Sequence, residues 1–351
     1  MRGFAGGVFV PESKRKAFVS GALAALKHRG PDDSGAWEDM GTGVVLAHAR
    51  LAVLDLSHAG RQPMASASGR FVVAYNGEIY NHLALRKELE KAGQAPRWRG
   101  HADTETLLAA VEAWGVKEAL GRFVGMFAFA LWDKKNRTLY LARDRFGEKP
   151  LYYGWVEDAF VFASELKALA AYPGWRGEVD REALAAFMRF GYVPAPRSIY
   201  QGIWKLEPGC LLALRQDALQ GAWPEPERYW SLADAASKSG SFSGDAHEAE
   251  EALDRLLRET IRDKMLADVP LGAFLSGGID SSTVVAVMQA ESVRPVRTFS
   301  IGFHEEGYNE APFAKKIAEH LGTEHTELYL TPQDALDVVP TLARIWDEPF
   351  A

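Results

Sequence analysis

The stretch Leu271-Gly-Ala-Phe-Leu-Ser-Gly-Gly-Ile-Asp-Ser-Ser-Thr-Val-Val-Ala-Val-Met288 decides how the second half of the chain is read. Its apolar run ends at Leu275 and is short enough for a buried parallel strand. Ser276, Gly277 and Gly278 then form a turn, and Val284, Val285, Val287 and Met288 continue on a helix. Strand, glycine turn and helix is the build that aims backbone N–H groups at an anion. Two glycines let a phosphate approach the backbone with no Cβ in the way. Asp280, Ser281 and Ser282 fall in the first helical turn, where hydroxyls cap free N–H groups or meet phosphate oxygens. The competing reading is a Gly-Ser turn that binds nothing, and a bare Ser-Gly-Gly would favour it.

Composition sets the frame. A chain of 351 residues suggests two domains, and 47% apolar with 25% charged residues is ordinary for a globular protein. A net charge of −7 gives no general affinity for nucleic acid or an anionic membrane. No apolar run approaches the roughly 20 residues that span a bilayer, and the N-terminus lacks a signal-peptide pattern. The single cysteine, Cys210, precludes an internal disulfide and fits a reducing, cytoplasmic setting. Beside Pro208-Gly209 and ahead of Leu211-Leu212-Ala213-Leu214, it reads as a buried structural thiol.

The first half alternates short strands and helices. Met1 to Val10 reads as a glycine-broken buried strand, Ser13 to Lys27 as a helix, and His28 to Gly35 as a loop dense in turn residues. Gly43 to His48, Leu51 to Leu56 and Phe71 to Tyr75 read as strands, and His82 to Ala92 as a helix. Asp103-Thr-Glu-Thr106 has the form of an N-cap. Gly125 to Trp132 and Thr138 to Arg143 form a hairpin, Tyr152 to Ala163 is strand, and Glu165 to Ala171 is helix. Such a mixture predicts a sheet-rich sandwich covered by helices.

Two resemblances follow from these residues. Ser276-Gly-Gly-Ile-Asp-Ser-Ser282 lacks the Gly-Lys-Ser/Thr of a Walker A loop, and it resembles the pyrophosphate-binding PP-loop of ATP pyrophosphatases. Upstream of it stand, in order, Arg29-Gly-Pro-Asp-Asp-Ser-Gly, Ala49-Arg-Leu51, Tyr75-Asn-Gly-Glu-Ile-Tyr-Asn81, Asp103-Thr-Glu-Thr, Gly125-Met-Phe-Ala-Phe-Ala and Ala142-Arg-Asp-Arg-Phe-Gly-Glu-Lys-Pro150. From Met1 to about Leu214 this series resembles the glutaminase half of glutamine-dependent asparagine synthetases.

The resemblance implies an α+β, N-terminal-nucleophile-type αββα sandwich over 1–215, a class II amidotransferase domain. A linker over 216–245 and a partial α/β PP-loop ATP pyrophosphatase domain over 246–351 would follow. It also implies that Arg50, Asn76, Gly77, Glu78 and Asp103 line a glutamine site. Arg50 would pair with the α-carboxylate, and Glu78 or Asp103 would take the ammonium. The Asn76 amide and Gly77 N–H would form an oxyanion hole. Taken singly, Asn76-Gly77 is equally a hairpin turn and Asp103 a plain helix cap; their order in one chain favours the site.

One departure matters most. The resemblance implies a cysteine after the initiator methionine, freed to become an N-terminal nucleophile whose own amino group takes the thiol proton. This chain has Arg2. A guanidinium stays protonated and cannot attack an amide, so glutamine hydrolysis is expected to be absent. Arg2 then marks an engineered or accidental loss, a natural ammonia-dependent enzyme, or a repurposed domain.

Pro224, Pro226 and Ser237 to Gly244 mark the boundary. Ala246 to Ala267 is amphipathic and helical, Val269 to Leu275 is the strand feeding the loop, and Val296 to Phe303 is a second buried strand. Helices over Asn309 to Leu321 and Pro332 to Trp346 flank a strand at Glu324 to Leu330. Ligands of open α/β sheets sit at the carboxyl ends of strands, which makes Ile301 and Gly302 candidate adenine contacts; a plain buried β-branched residue is the rival reading of Ile301. The family continues beyond Asp347-Glu-Pro-Phe-Ala351, so the chain is expected to be an incomplete synthetase, unable to make asparagine unaided.

The resemblance thus implies a ligase that adenylates aspartate with ATP and Mg²⁺ and amidates it with glutamine-derived ammonia. The ATP contacts would be Ser276, Gly277, Gly278, Asp280, Ser281, Ser282, Ile301 and Gly302, and Asp280 would hold the metal or cap the helix. Glutamine, aspartate and ATP are the expected partners, with no nucleic acid and no membrane, and a homodimer is compatible with the reading. Alternatives are a related amidotransferase or β-lactam-synthetase-like cyclase with another acceptor, or a glutamine-binding pseudoenzyme.

Overall fold

A computed structural model describes every residue except Met1, Leu219, Gln220, Ser241, Glu306 and Tyr308. Met1, where the first strand is expected to begin, and Ser241, inside the expected linker, lie outside the described residues. Two compact units form: Met1–Ser239 with Trp346–Ala351, and Gly240–Ile345.

The first unit opens with β1 (Gly3–Val8), α1 (Glu12–Leu26), β2 (Asp33–Asp39), β3 (Val44–Arg50), β4 (Met64–Ala65) and β5 (Phe71–Ile79). Helices α2 (His82–Lys91), α3 (Asp103–Trp114) and α4 (Val116–Arg122) come next. Then follow β6 (Gly125–Asp133), β7 (Thr138–Arg143), β8 (Tyr152–Val156), β9 (Ala159–Ala163), α5 (Leu166–Leu169) and α6 (Arg181–Phe190). The unit closes with β10 (Ile203–Lys205), β11 (Cys210–Arg215), β12 (Glu227–Arg228) and α7 (Leu232–Ser239).

Two antiparallel sheets result, in the orders β10-β8-β9-β1-β3-β2 and β12-β11-β7-β6-β5-β4. Each strand points alternate side chains to opposite faces. Phe4, Leu46 and Phe162 of the first sheet therefore meet Val72, Trp132 and Leu212 of the second in a core between the sheets. The other face of the first sheet buries Phe18, Leu26 and Leu169 from α1 and α5. The other face of the second buries Leu85, Leu107 and Leu120 from α2, α3 and α4. Helix, sheet, sheet, helix is the αββα sandwich of N-terminal-nucleophile enzymes. The residues Trp346–Ala351 pack on it: Leu166 N–H donates to Asp347 at 2.6 Å, and Lys205 pairs with Glu348 at 2.6 Å.

Several local expectations are corrected. Leu51 to Leu56 is a loop rather than a strand, because the Arg50 fork turns inward and donates to the carbonyls of Asp55 and Ser57. Asp33–Asp39 is an edge strand that overlaps the expected loop; its alternating half-exposure hides it among turn residues. Asp103 is the first residue of α3 rather than its cap, since Ala102 holds the cap position. Helices α4, α6 and α7 were not expected, and α7 with β12 lies within 216–245. Cys210 is buried as expected, and burial pushes its thiol pKa up.

In the second unit α8 (Ala246–Lys264) leads into β13 (Gly272–Phe274), α9 (Ile279–Glu291), β14 (Arg297–Phe303), α10 (Ala311–Leu321) and β15 (Glu324–Leu330). Helices α11 (Pro332–Val338) and α12 (Leu342–Ile345) close it. The three strands are parallel, in the order β13-β14-β15. Ile261, Val287 and Val296 pack in one cluster, and Leu275, Val285 and Ala314 in another. Glu291 of α9 binds both Arg258 (3.2 Å) and Arg262 (2.6 Å) of α8. Neither β13 nor β14 is buried throughout, contrary to expectation. Thr298 and Ser300 point to the helices, whereas Phe274, Phe299 and Ile301 lie on the open face. The expected helix over Pro332 to Trp346 is interrupted by a 3₁₀ turn at Val339–Thr341, where Pro340 withholds an N–H.

Candidate functional sites

In the first unit the ends of β3 and β5 frame a cavity of about 160 Å³, lined by Arg2, Leu51, Asn76, Gly77, Glu78 and Lys149 among others. Asn76 and Gly77 sit on β5 opposite Ala128 and Phe127 of β6. A Cβ on Gly77 would lie 2.1 Å from the Met126 carbonyl oxygen, so the close strand approach requires glycine. Asn76 is buried, and among the described residues its Nδ2 has no hydrogen-bond partner. A buried amide donor left unpaired costs free energy, and sites that bind developing negative charge keep such donors ready.

Asp103 is buried at the head of α3. Its Oδ2 accepts from Tyr75 Oη at 2.6 Å and Ile79 N–H at 3.0 Å, and its Oδ1 lies 3.8 Å from Arg2 Nη1. Burial, then the Asp103 charge, push the Tyr75 hydroxyl well above its usual pKa, so it donates to the carboxylate. Arg2 is itself buried; its Nε donates to Leu51 O at 3.2 Å and its Nη1 to Gly77 O at 3.4 Å. Arg29, unassigned by sequence reasoning beyond its motif, donates from Nε to the Arg2 carbonyl at 2.9 Å and pairs with Glu165 at 2.6 Å. Glu165 also binds Lys167 (2.9 Å), which reaches Asp347 at 3.1 Å. Residue 2 is therefore held at its backbone by an ion chain running to the last residues of the unit. Only the tertiary contacts reveal that chain, because its members are far apart in sequence.

Arg50 does not line this cavity with Arg2; its guanidinium is spent on the Asp55 and Ser57 carbonyls, and burial, then the Arg2 charge, lower its pKa. Glu78, half-buried, does line it. His48 lies beneath, its Nε2 3.0 Å from the Tyr75 carbonyl; burial, then Arg2, lower its pKa to about 3, so the ring is neutral.

In the second unit Ser276, Gly277 and Gly278 connect β13 to α9. Gly277 has φ +86°, and a Cβ there would come within 3.0 Å of Phe313 and Ala314 of α10. Gly278 occupies the N-cap with no side chain capping α9, which leaves first-turn N–H groups for a ligand. Ser276 Oγ and Ser281 Oγ lie 3.0 Å apart, and Ser282 Oγ donates to Gly278 O at 2.7 Å. Ser300 Oγ donates to the Leu275 carbonyl, bracing the strand end against β14. Uncapped helix, positive-φ glycine and two neighbouring hydroxyls fit an anionic phosphate group.

Asp280 is exposed in the first turn of α9, and among the described residues no cluster of three metal-ligating side chains occurs. Ile301 is 47% exposed on the open sheet face, which corrects the reading of a buried β-branched residue. Gly302 faces the other way, where a Cβ would meet the Tyr329 ring at 2.7 Å.

Comparison with known proteins agrees with both halves. Residues 1–230 match the family model "Glutamine amidotransferase domain", and residues 252–351 match "Asparagine synthase". A putative glutamine-hydrolysing asparagine synthetase of Mycobacterium tuberculosis is 36% identical over 95% of this chain and 51% of its own length. Asparagine synthetase 1 of Bacillus subtilis is 36% identical over 93% of this chain and 49% of its own. A putative asparagine synthetase of Methanocaldococcus jannaschii is 34% identical over 93% and 64%. Residues 1–230, which hold the sandwich, thus form a glutamine-amidotransferase domain. The chain belongs to the glutamine amidotransferase domain family, its second half matches the asparagine synthase model, and it spans about half the length of the first curated relatives it matches.

Proposed function

We propose that this protein works as an asparagine-synthetase-type ligase supplied with free ammonia, its amidotransferase unit being unable to hydrolyse glutamine. Arg2 carries the proposal. It stands where the family resemblance implies a cysteine, and a guanidinium can neither attack an amide nor accept its proton. Asn76 and Gly77 are the proposed oxyanion hole and Glu78 and Asp103 the proposed ammonium contacts; Arg50, proposed for the α-carboxylate, would have to release the Asp55 and Ser57 carbonyls to reach it, and the missing function is the nucleophile. Incubation with glutamine alone should release no glutamate above a blank, and turnover would refute the proposal.

The second unit is proposed to bind the triphosphate of ATP through Ser276, Gly277, Gly278, Asp280, Ser281 and Ser282, with Ile301 and Gly302 at the adjoining strand end for the adenine. Mg²⁺ would be held chiefly by the phosphates, with Asp280, in the first turn of α9, as the loop carboxylate that could help hold it. Adenylation makes a carboxylate electrophilic, and first-turn N–H groups would stabilise departing pyrophosphate. Aspartate is the proposed acceptor. Given ATP, ammonia and a panel of amino-acid carboxylates, the protein should release AMP with aspartate above the others; preference for another acid would reassign the acceptor, and no AMP release with any acid would refute the ligase reading for this chain.

A further inference from the structure

The Arg2 side chain does more than fail as a nucleophile. Its guanidinium meets three acceptors at once: the Leu51 carbonyl at 3.2 Å, the Gly77 carbonyl at 3.4 Å and, at 3.8 Å, the Asp103 carboxylate. The Tyr75 ring lies 5.9 Å from the guanidinium carbon. Both charged side chains are buried, Arg2 at 6% exposure and Asp103 at 1%. Two carbonyls and a carboxylate gathered around one guanidinium, the Gly77 carbonyl and the Asp103 carboxylate both at Nη1, form a cation subsite, and in a pocket for an α-amino acid that is the place of the ammonium group. The Arg2 backbone is fixed by Arg29, itself held by Glu165, so the cation is delivered from a rigid anchor.

We propose that Arg2 is a tethered surrogate for the amino group of a ligand, and that it excludes glutamine and other α-amino acids from this pocket. The inference rests on the reading of the cavity as a glutamine site. An intramolecular group competes at a high effective concentration. An incoming ammonium would have to displace a buried guanidinium and leave it without its carboxylate, which is strongly unfavourable. Among the described residues the donor Asn76 Nδ2 remains unpaired while the acceptors are filled. Selection is therefore directed against the amino group in particular, rather than against the carboxamide end of the ligand.

Titration calorimetry with glutamine and with glutaramate, which is glutamine without its amino group, tests this on the whole chain and on R2A and R2M. Two variants are used because R2M keeps an apolar stem if R2A does not fold. The expected result is glutamine binding at least about tenfold tighter in the variant than in the unaltered chain, with less than about threefold change for glutaramate. Equal glutamine affinity before and after substitution overturns the inference alone. An equal gain for both ligands also overturns it, since simple relief of crowding would then explain the effect. Failure of a folded variant to bind either ligand overturns the inference together with the assignment of the pocket.

Discussion

The guanidinium of Arg2 lies 3.8 Å from the carboxylate of Asp103, with both side chains buried inside the amidotransferase unit. Buried opposite charges tolerate the loss of one partner poorly, because the survivor keeps its desolvation cost.

Asp103→Ala should therefore destabilise the first unit by about 3–5 kcal/mol. It strands Arg2 and also removes the acceptor of Tyr75 Oη and Ile79 N–H. Asp103→Asn, which keeps an acceptor oxygen, should lose less. Urea unfolding followed by tryptophan fluorescence measures both, and equal losses would show that the carboxylate charge, rather than its acceptor oxygen, carries the stabilisation.

Acid should weaken this unit in two overlapping windows. His48 has a folded pKa of about 3 against an ordinary 6.5, so the unfolded chain binds the extra proton first. Its contribution is whole above about pH 6.5 and declines as pH falls toward 3, at up to about 1.4 kcal/mol per pH unit. Burial alone would raise the Glu165 pKa, yet bonds from Arg29 and Lys167 bring it below its usual value. That contribution is present above the ordinary carboxylate pKa and is lost as pH falls below it. Stability measured from pH 7 to 3 should flatten between 6.5 and 4.5 in His48→Gln, and should fall less steeply below 4.5 in Glu165→Gln, where only the His48 contribution still declines.

Two glycine substitutions should fail differently. Gly77→Ala pushes a Cβ to 2.1 Å from the Met126 carbonyl in the middle of a sheet, and should cost more than about 3 kcal/mol or prevent folding. Gly277→Ala forces an L-residue to φ +86°, costing about 1–3 kcal/mol confined to one loop. Nucleotide affinity should fall at least about tenfold there while circular dichroism stays unchanged. Retained ATP affinity in G277A would remove the loop from the binding site.

Asp347→Ala should loosen the end of the chain from the sandwich, because Asp347 accepts the Leu166 N–H and pairs with Lys167. A loss of about 1–3 kcal/mol is expected, with faster proteolysis near Trp346. Unchanged cleavage would show that Glu348, paired with Lys205 and accepting from Ile199, suffices.

Apolar runs bounded by turn residues made the central strands legible: Phe71 onward, Gly125 to Trp132 and Thr138 to Arg143 are all strands, as expected. Elements whose identity depends on neighbours were not legible. Asp33–Asp39 is a strand because β3 offers it an edge, and Leu51 to Leu56 is a loop because Arg50 folds back on it. Gly277 announces its turn, but its approach to Phe313 depends on how α10 packs.

Local chemistry by itself determined that residue 2 is an arginine, that a glycine turn joins a strand to a helix at Ser276, and that sandwich-forming segments precede both boundary prolines. Only the tertiary structure decided where the Arg2 charge goes. Asp103, Gly77 and Leu51 are distant along the chain, and they become one cation subsite because β3, β5 and α3 converge while burial leaves a charge nowhere else to be solvated.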